Sequence, residues 1–369
     1  MALIALTRLS ACATLLAAFA ACSRPAAEPA PQPTPPASAS AFPSASRAMA
    51  SPYAVDPMAG AAAAPYASPS TGVLGGPAPL DPPASVSPTP SPGVTETPAA
   101  EKTLRLQVLL DRAHFSPGEI DGKDGGNTRG ALASYNRERG GGSALEADTT
   151  PHLVDYTIAA EDVAGPFTPE IPEDMMQKGK LTTLGYTSAL EALSEKFHAS
   201  PALLRTLNPQ ATFTRAGERI RVPNVHTAPP QGKAAQVVVD GSGPWVAAMD
   251  AEGRALAVYR ATAGSQHDPL PLGDWKVNGV SRNPTFNYNP DLFWDAEEGH
   301  AKARIPPGPN NPVGVVWVDL SKPHYGIHGT PEPSTIGKTQ SHGCIRLTNW
   351  DADELAGMVS PGTPVVIRK

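Results

Sequence analysis

Nineteen prolines fall between Ser23 and Ala100, among alanine and serine runs and only six charged side chains. So few large apolar groups cannot bury enough surface to offset the entropy of ordering the backbone. This stretch is expected to be a disordered, partly polyproline-II tether, about 240 Å long when extended and about 50 Å across as a coil. The 369-residue chain is long enough for two or three domains, but they must be built from the sequence beyond Ala100.

The segment before the tether reads as an export signal. Arg8 gives a short positive region, and Leu9 to Ala21 is apolar and small. That run is shorter than the roughly 20 residues a membrane span needs, so residues 1–21 are expected to be a signal peptide. Phe19-Ala20-Ala21-Cys22 resembles a lipobox, which would make Cys22 the acylated N-terminus of a lipid-anchored periplasmic protein. Plain cleavage at an Ala-x-Ala site is the alternative. Cys12 also fits the box, but leaves almost no apolar stretch after Arg8. With Cys12 removed and Cys22 acylated, one of the three cysteines, Cys344, keeps its thiol. A lone cysteine in an oxidising compartment is either buried and inert or retained for reactivity. The net charge of −6, with no basic run, argues against nucleic acid as a partner.

Two small units are expected between the tether and residue 225. In the first, residues 101–170, Leu106, Leu109, Leu110 and Ala113 have helical spacing. Ile120-Asp121-Gly122 makes a turn, and a second helix with Thr128, Ala131, Leu132 and Tyr135 inward starts at Asn127. This pair resembles the peptidoglycan-binding-like helical domain. In the second unit, residues 180–225, Ser188 and Glu191 fit a capping box. Ser200-Pro201 starts another helix, Asn208-Pro209 stops it, and Glu218 to Pro223 reads as a strand. That order resembles a LysM module whose opening strand is not visible. The first unit is equally readable as scaffold or as glycan binder, and for the second glycan binding stays open.

From residue 234 to 369 the texture becomes β. Val237–Val239, Trp245–Ala247, Ala255–Tyr259, Trp275–Val277, Val315–Val318 and Val365–Ile367 are β-prone runs separated by Gly, Pro, Asn and Asp. One helix, Trp350 to Val359, is expected with Asn349 as its cap. The overall expectation is multidomain: a mainly β, sandwich-like domain preceded by a helical unit, a LysM-like α+β unit and the tether.

Chemistry concentrates in Tyr325-Gly326-Ile327-His328-Gly329-Thr330 and Ser341-His342-Gly343-Cys344-Ile345-Arg346-Leu347. A thiol needs a base to attack at neutral pH, and His328 and His342 lie shortly upstream of Cys344, each beside a glycine. Arg346 could favour thiolate or hold a substrate carboxylate. Three other readings stay open: Cys344 as a buried hydrophobe, His324, His328, His342 and Cys344 as a zinc group, and His342 as a loop-ordering residue.

The two segments resemble the active-site signature of the L,D-transpeptidase catalytic domain, the YkuD family. Pro271-Leu272-Gly273-Asp274-Trp275, the Pro307–Gly314 loop and Gly362-Thr363-Pro364-Val365 extend the resemblance over roughly residues 235–368. It implies Cys344 as nucleophile and His328 as general base. Gly329 would orient the imidazole through its carbonyl, where some relatives have serine. Tyr325, Ser341, His342, Gly343 and Arg346 would line the pocket, with the Gly343-Cys344 backbone as oxyanion hole. The implied substrate is a peptidoglycan tetrapeptide stem, with an amine, a lysine of an outer-membrane lipoprotein or water as acyl acceptor. Carbapenems are the implied inhibitors, and no cofactor is required. A non-catalytic, anchored peptidoglycan-binding protein is the alternative.

Overall fold

The helix Pro98–Arg112 opens the described part of the chain; the computed structural model describes residues 98–225 and 228–369. The expected signal peptide, Cys22 and most of the tether therefore lie outside the described residues. Proline's fixed φ and missing N–H suit a first helical turn, so this helix begins slightly before the boundary expected from composition. Leu104, Val108, Leu109 and Leu110 form its buried face. The buried Gln107 side chain fixes the turn after it. Its amide donates to Asp121 Oδ1 at 2.9 Å and Thr128 Oγ1 at 3.1 Å, while its oxygen accepts from the Gly122 N–H at 2.8 Å. The second helix, Gly126–Arg139, buries Thr128, Ala131, Ser134 and Tyr135, in keeping with its spacing.

The next unit corrects the expected boundaries. The strand Leu153–Thr157, expected within the helical unit, pairs antiparallel with Arg219–Pro223. Between them lie the helices Ala189–Lys196 and Pro201–Leu207. A strand that was not visible in the sequence thus precedes those helices. It is hidden in the sequence because residues 158–187 intervene before the first of those helices. Ser188 and Ser200 cap the helices as predicted, accepting from Glu191 N at 3.2 Å and Leu203 N at 3.0 Å. The two upstream units are not separate either. Leu104, Val108 and Ile120 share one core with Leu193, Leu204, Ile220 and Val222.

The catalytic-domain expectation holds: the C-terminal part is mainly β. Ten strands run in the order Phe115–Ser116, Ala255–Arg260, Trp245–Met249, Gln236–Asp240, Pro364–Arg368, Gly273–Arg282, Val316–Leu320, Gly326–His328, Ile345–Arg346, Thr262–Ala263. The long strand Gly273–Arg282 joins two halves. Its first residues pair with Pro364–Arg368 and its later ones with Val316–Leu320. Both halves feed one core, in which Val237, Val246 and Val365 meet Val318, Ile327 and Ile345. The helix Asn349–Met358 adds Ala352 and Leu355 to it. The cap of that helix is Thr348, which accepts from Asp351 N at 3.1 Å, and not Asn349. The first strand of the sheet, Phe115–Ser116, comes from the helical unit and pairs in parallel with Ala255–Arg260. Among the described residues no helix is long and apolar enough to cross a membrane.

Candidate active site

Two strands too short to read from sequence build the site. Gly326–His328 lies parallel to Ile345–Arg346, with His328 opposite Arg346 and Ile327 opposite Ile345. This pairing sets the residue before Ile345, which is Cys344, alongside the histidine strand. A parallel pair needs a crossover, and residues 329–344 supply it. His328, His342, Cys344 and Arg346 line one cavity of about 280 Å³.

Each motif residue has a distinct place. The His328 ring is buried and stacks on Trp317, with ring centroids 5.5 Å apart. Its Nδ1 lies 2.7 Å from the Gly329 carbonyl. A carbonyl only accepts, so Nδ1 carries the proton and Nε2 keeps its lone pair. Ser341 Oγ donates to the Cys344 carbonyl at 2.6 Å and accepts from Gly264 N at 2.7 Å, pinning the turn before the thiol. Gly343 sits at φ +92°, where a side chain is strained, and a Cβ there would lie 2.7 Å from Tyr325 Cε1. Tyr325 therefore packs against the Gly343-Cys344 step. His342 bonds Asp295 Oδ1 at 2.9 Å and stands beside Phe293 and Trp294. It ties the motif loop to the segment after Phe286–Tyr288.

The electrostatics do not follow the reading in which Arg346 favours a thiolate. Burial pushes the Cys344 thiol up to about 12; Arg346 acts the other way but is outweighed. Burial, helped by the Arg346 charge, pulls His328 down to about 3. The resting pair is thus a neutral thiol and a neutral imidazole, with the basic nitrogen poised on the ring.

The zinc group is not assembled. Cys344 Sγ approaches the main-chain carbonyl of His324, at 3.7 Å, and not its ring. Among the described residues, the donors within metal-binding reach of one another are instead Asp174, Glu297 and His300. There His300 Nε2 lies 2.7 Å from Asp174 Oδ2, and its Nδ1 lies 2.8 Å from the Tyr288 hydroxyl.

Sequence reasoning misses three groups of site residues. Trp317 reads only as a β-prone residue, although its indole carries the histidine. Asn349, expected as a helix cap, instead bridges: its Oδ1 accepts from Val315 N at 3.2 Å and its Nδ2 donates to Glu195 Oε1 at 2.7 Å. Glu173, Asp174 and Met175 line the cavity from the intervening segment 158–187, where no motif announces them.

The L,D-transpeptidase catalytic-domain model, YkuD, matches residues 235–367. The YkuD L,D-transpeptidase of Bacillus subtilis is 31% identical over 182 residues, which is 49% of this chain and 93% of that protein. The chain belongs to the YkuD family of L,D-transpeptidases. The Bacillus licheniformis L,D-transpeptidase is 57% identical over 180 residues, 48% of this chain and 92% of its own length. Solved L,D-transpeptidase structures are also similar. One is L,D-transpeptidase 3 from Mycobacterium tuberculosis with a faropenem-derived adduct, at 18% identity and a TM-score of 0.31, over 42% of this chain and 75% of that one. Another is the Enterococcus faecium catalytic domain acylated by ertapenem, at 21% identity and 0.29, over 39% and 99%. The family model begins at residue 235, yet the segment 158–187 contributes to the walls of the same cavity.

Proposed function

We propose that this L,D-transpeptidase uses Cys344 as its nucleophile and His328 as the base, on peptidoglycan tetrapeptide stems. The observation that carries the reading is the parallel pairing of Gly326–His328 with Ile345–Arg346, which sets thiol and imidazole into one cavity with Nδ1 committed to Gly329. Cys344 Sγ attacks the carbonyl carbon of the third stem residue while its proton moves to His328 Nε2. The Gly343-Cys344 backbone stabilises the oxyanion. The C–N bond to the terminal D-alanine breaks, and the departing amine takes the proton from His328. The acceptor amine then attacks the thioester, gives its proton to His328, and leaves a new amide as the thiol re-forms. The acceptor is a diaminoacid side chain of a neighbouring stem, with a lysine of an outer-membrane lipoprotein or water as the competing acceptors. Tyr325, Ser341, Gly343 and His342 support this by holding the thiol turn and the cavity wall in place.

The same thiol would open the strained amide of a carbapenem. The expected result is a mass increase of one inhibitor on the intact protein, absent in Cys344→Ala. Incubation with disaccharide-tetrapeptide should release D-alanine, and product masses distinguish dimer from hydrolysed tripeptide. Full activity in Cys344→Ala would refute the proposal. We place the enzyme in the periplasm, exported by residues 1–21 and anchored through an acylated Cys22. Release of the Cys22→Ala protein from the membrane fraction tests that.

A further inference from the structure

One wall of the Cys344 cavity is a loop, residues 289–302, that joins the antiparallel strands Phe286–Tyr288 and Ala303–Ile305. Phe293, Asp295, Ala296, Glu297 and His300 of this loop line the cavity. Its regular structure is one short 3₁₀ turn, Pro290–Leu292, so side chains must fasten the rest. Two histidine–aspartate pairs do so. Asp295 Oδ1 meets the ring of His342, in the motif segment before Cys344, at 2.9 Å. At the other end of the loop, His300 Nε2 lies 2.7 Å from Asp174 Oδ2, and its Nδ1 lies 2.8 Å from the Tyr288 hydroxyl. The His300 side chain is only 10% exposed, so water competes little for these bonds. The first pair lies within the catalytic domain. The second reaches outside it, because Asp174 belongs to the segment 158–187.

Asp174 is itself held. It caps the short helix Met175–Lys178, where its Oδ1 accepts from Gln177 N at 2.8 Å, so its two oxygens serve different partners. The Gln177 N–H, and after it the His300 ring, hold this carboxyl below the usual carboxylate range. The segment behind it is anchored on the catalytic domain. Leu184 N donates to the Pro307 carbonyl at 2.9 Å, and the Leu184 carbonyl accepts from Asn310 N at 3.0 Å. Gly308 leaves no room for a side chain beneath that carbonyl. Ile171, Met175 and Leu181 pack on the cluster that contains Trp317 and Cys344. An acceptor on so fixed a support can hold the loop, whereas a pair of freely moving surface charges would add little.

We infer that Asp174 is a positioning residue for the reaction at Cys344: through His300 it fixes the loop 289–302, and with it the space in which the substrate is held. The substrate is that of the proposed function; the clasp itself rests on the geometry alone. An upstream segment thereby takes part in the catalytic domain's own site. Asp174 bonds the loop and its own helix, while the Gly329 carbonyl holds His328 and Ser341 holds the thiol turn. Loss of the clasp should therefore weaken substrate binding and spare the chemical step.

Two variants of the full chain break the clasp from opposite sides. His300→Ala removes the ring. Asp174→Ser keeps a capping oxygen for the Gln177 N–H but is too short to reach His300. In turnover of disaccharide-tetrapeptide, KM should rise about fivefold in each, and no further in the double variant, because both remove one interaction. The kcat should stay within about twofold, and His300→Gln, which keeps a donor for Asp174, should restore KM. Hydrogen exchange needs no substrate: amides of residues 289–302 should exchange about tenfold faster in both variants, with those of Val316–Leu320 unchanged. Thermal melts show which variants fold, and either one suffices. Unchanged exchange in a folded variant overturns the clasp. Faster exchange with KM unchanged, or with kcat and carbapenem acylation lost as well, overturns its positioning role. An unaltered protein that neither turns over nor forms a carbapenem adduct refutes the Cys344 mechanism instead, and exchange still decides the clasp.

Discussion

At Gly329 the constraint is space. A Cβ there would come 2.2 Å from Asn349 Oδ1, the atom that also receives the Val315 amide. Gly329→Ser is therefore expected to lose about 1 to 3 kcal/mol of stability, the usual penalty for forcing atoms into a packed site. Adding Asn349→Ala should return part of the loss in melting temperature; no recovery would place the strain elsewhere. The protonation of the pair makes a sharper forecast. With the thiol near 12 and the imidazole near 3, neither group titrates between about pH 5 and 9. The carbapenem acylation rate should stay flat across that window and fall only as His328 gains a proton toward pH 3. A rise centred near neutral pH would mean that the pair exchanges charge in the resting enzyme. The candidate residues could be picked out because a thiol that follows glycine, with an arginine two positions on and histidines upstream, is an unusual grouping. Its resting charge was not legible, since depth of burial is a property of the fold.

The helix Asn349–Met358 shows how one element serves several ends. Its apolar residues complete the core, Asn349 braces the histidine loop, and its first turn carries Asp351, which is 1% exposed. Burial is the main cause that raises this carboxyl to about 8, against the hydrogen bonds from Thr348 and Ser116 and the nearby His198. Its ordinary value, that of the unfolded chain, is 3.8. A carboxyl raised on folding contributes stability that is full below the unfolded value and is lost as pH rises through the folded one. The melting temperature should thus decline between about pH 4 and 8, and the decline should be smaller in Asp351→Asn. Equal slopes in the two proteins would contradict this. The long β-prone runs were readable because alternation and branching persist along them. The strands Gly326–His328, Ile345–Arg346 and Thr262–Ala263 were not, since two or three residues carry no periodicity and exist only through their neighbours.

Across the whole molecule, the upstream units and the catalytic domain are parts of one packed body. Leu109, Leu110 and Phe115 pack on Ala255 and Val258 of the sheet. Leu184 shares a cluster with Phe286, Ile305, Trp317 and Cys344, joined by Ile171, Met175 and Leu181. Removing everything before Ala234 would bare both surfaces. A fragment of residues 234–369 is expected to melt well below the full chain or to aggregate, and Leu184→Ala alone should cost about 2 to 5 kcal/mol. Matching melting temperatures for fragment and full chain would show that the units are independent.

The amino-acid sequence alone singled out the candidate site residues, the serine caps of the upstream helices and the β texture of the C-terminal part. These follow from local chemistry: which side chain ionises, which caps an amide, which alternates. Tertiary structure alone decided that Leu153–Thr157 pairs with Arg219–Pro223 across two intervening helices, and that segment 158–187 reaches the cavity of Cys344. It also decided that thiol and imidazole rest uncharged. Each of these depends on which surfaces exclude water from one another, and neighbours in space need leave no mark on neighbours in sequence.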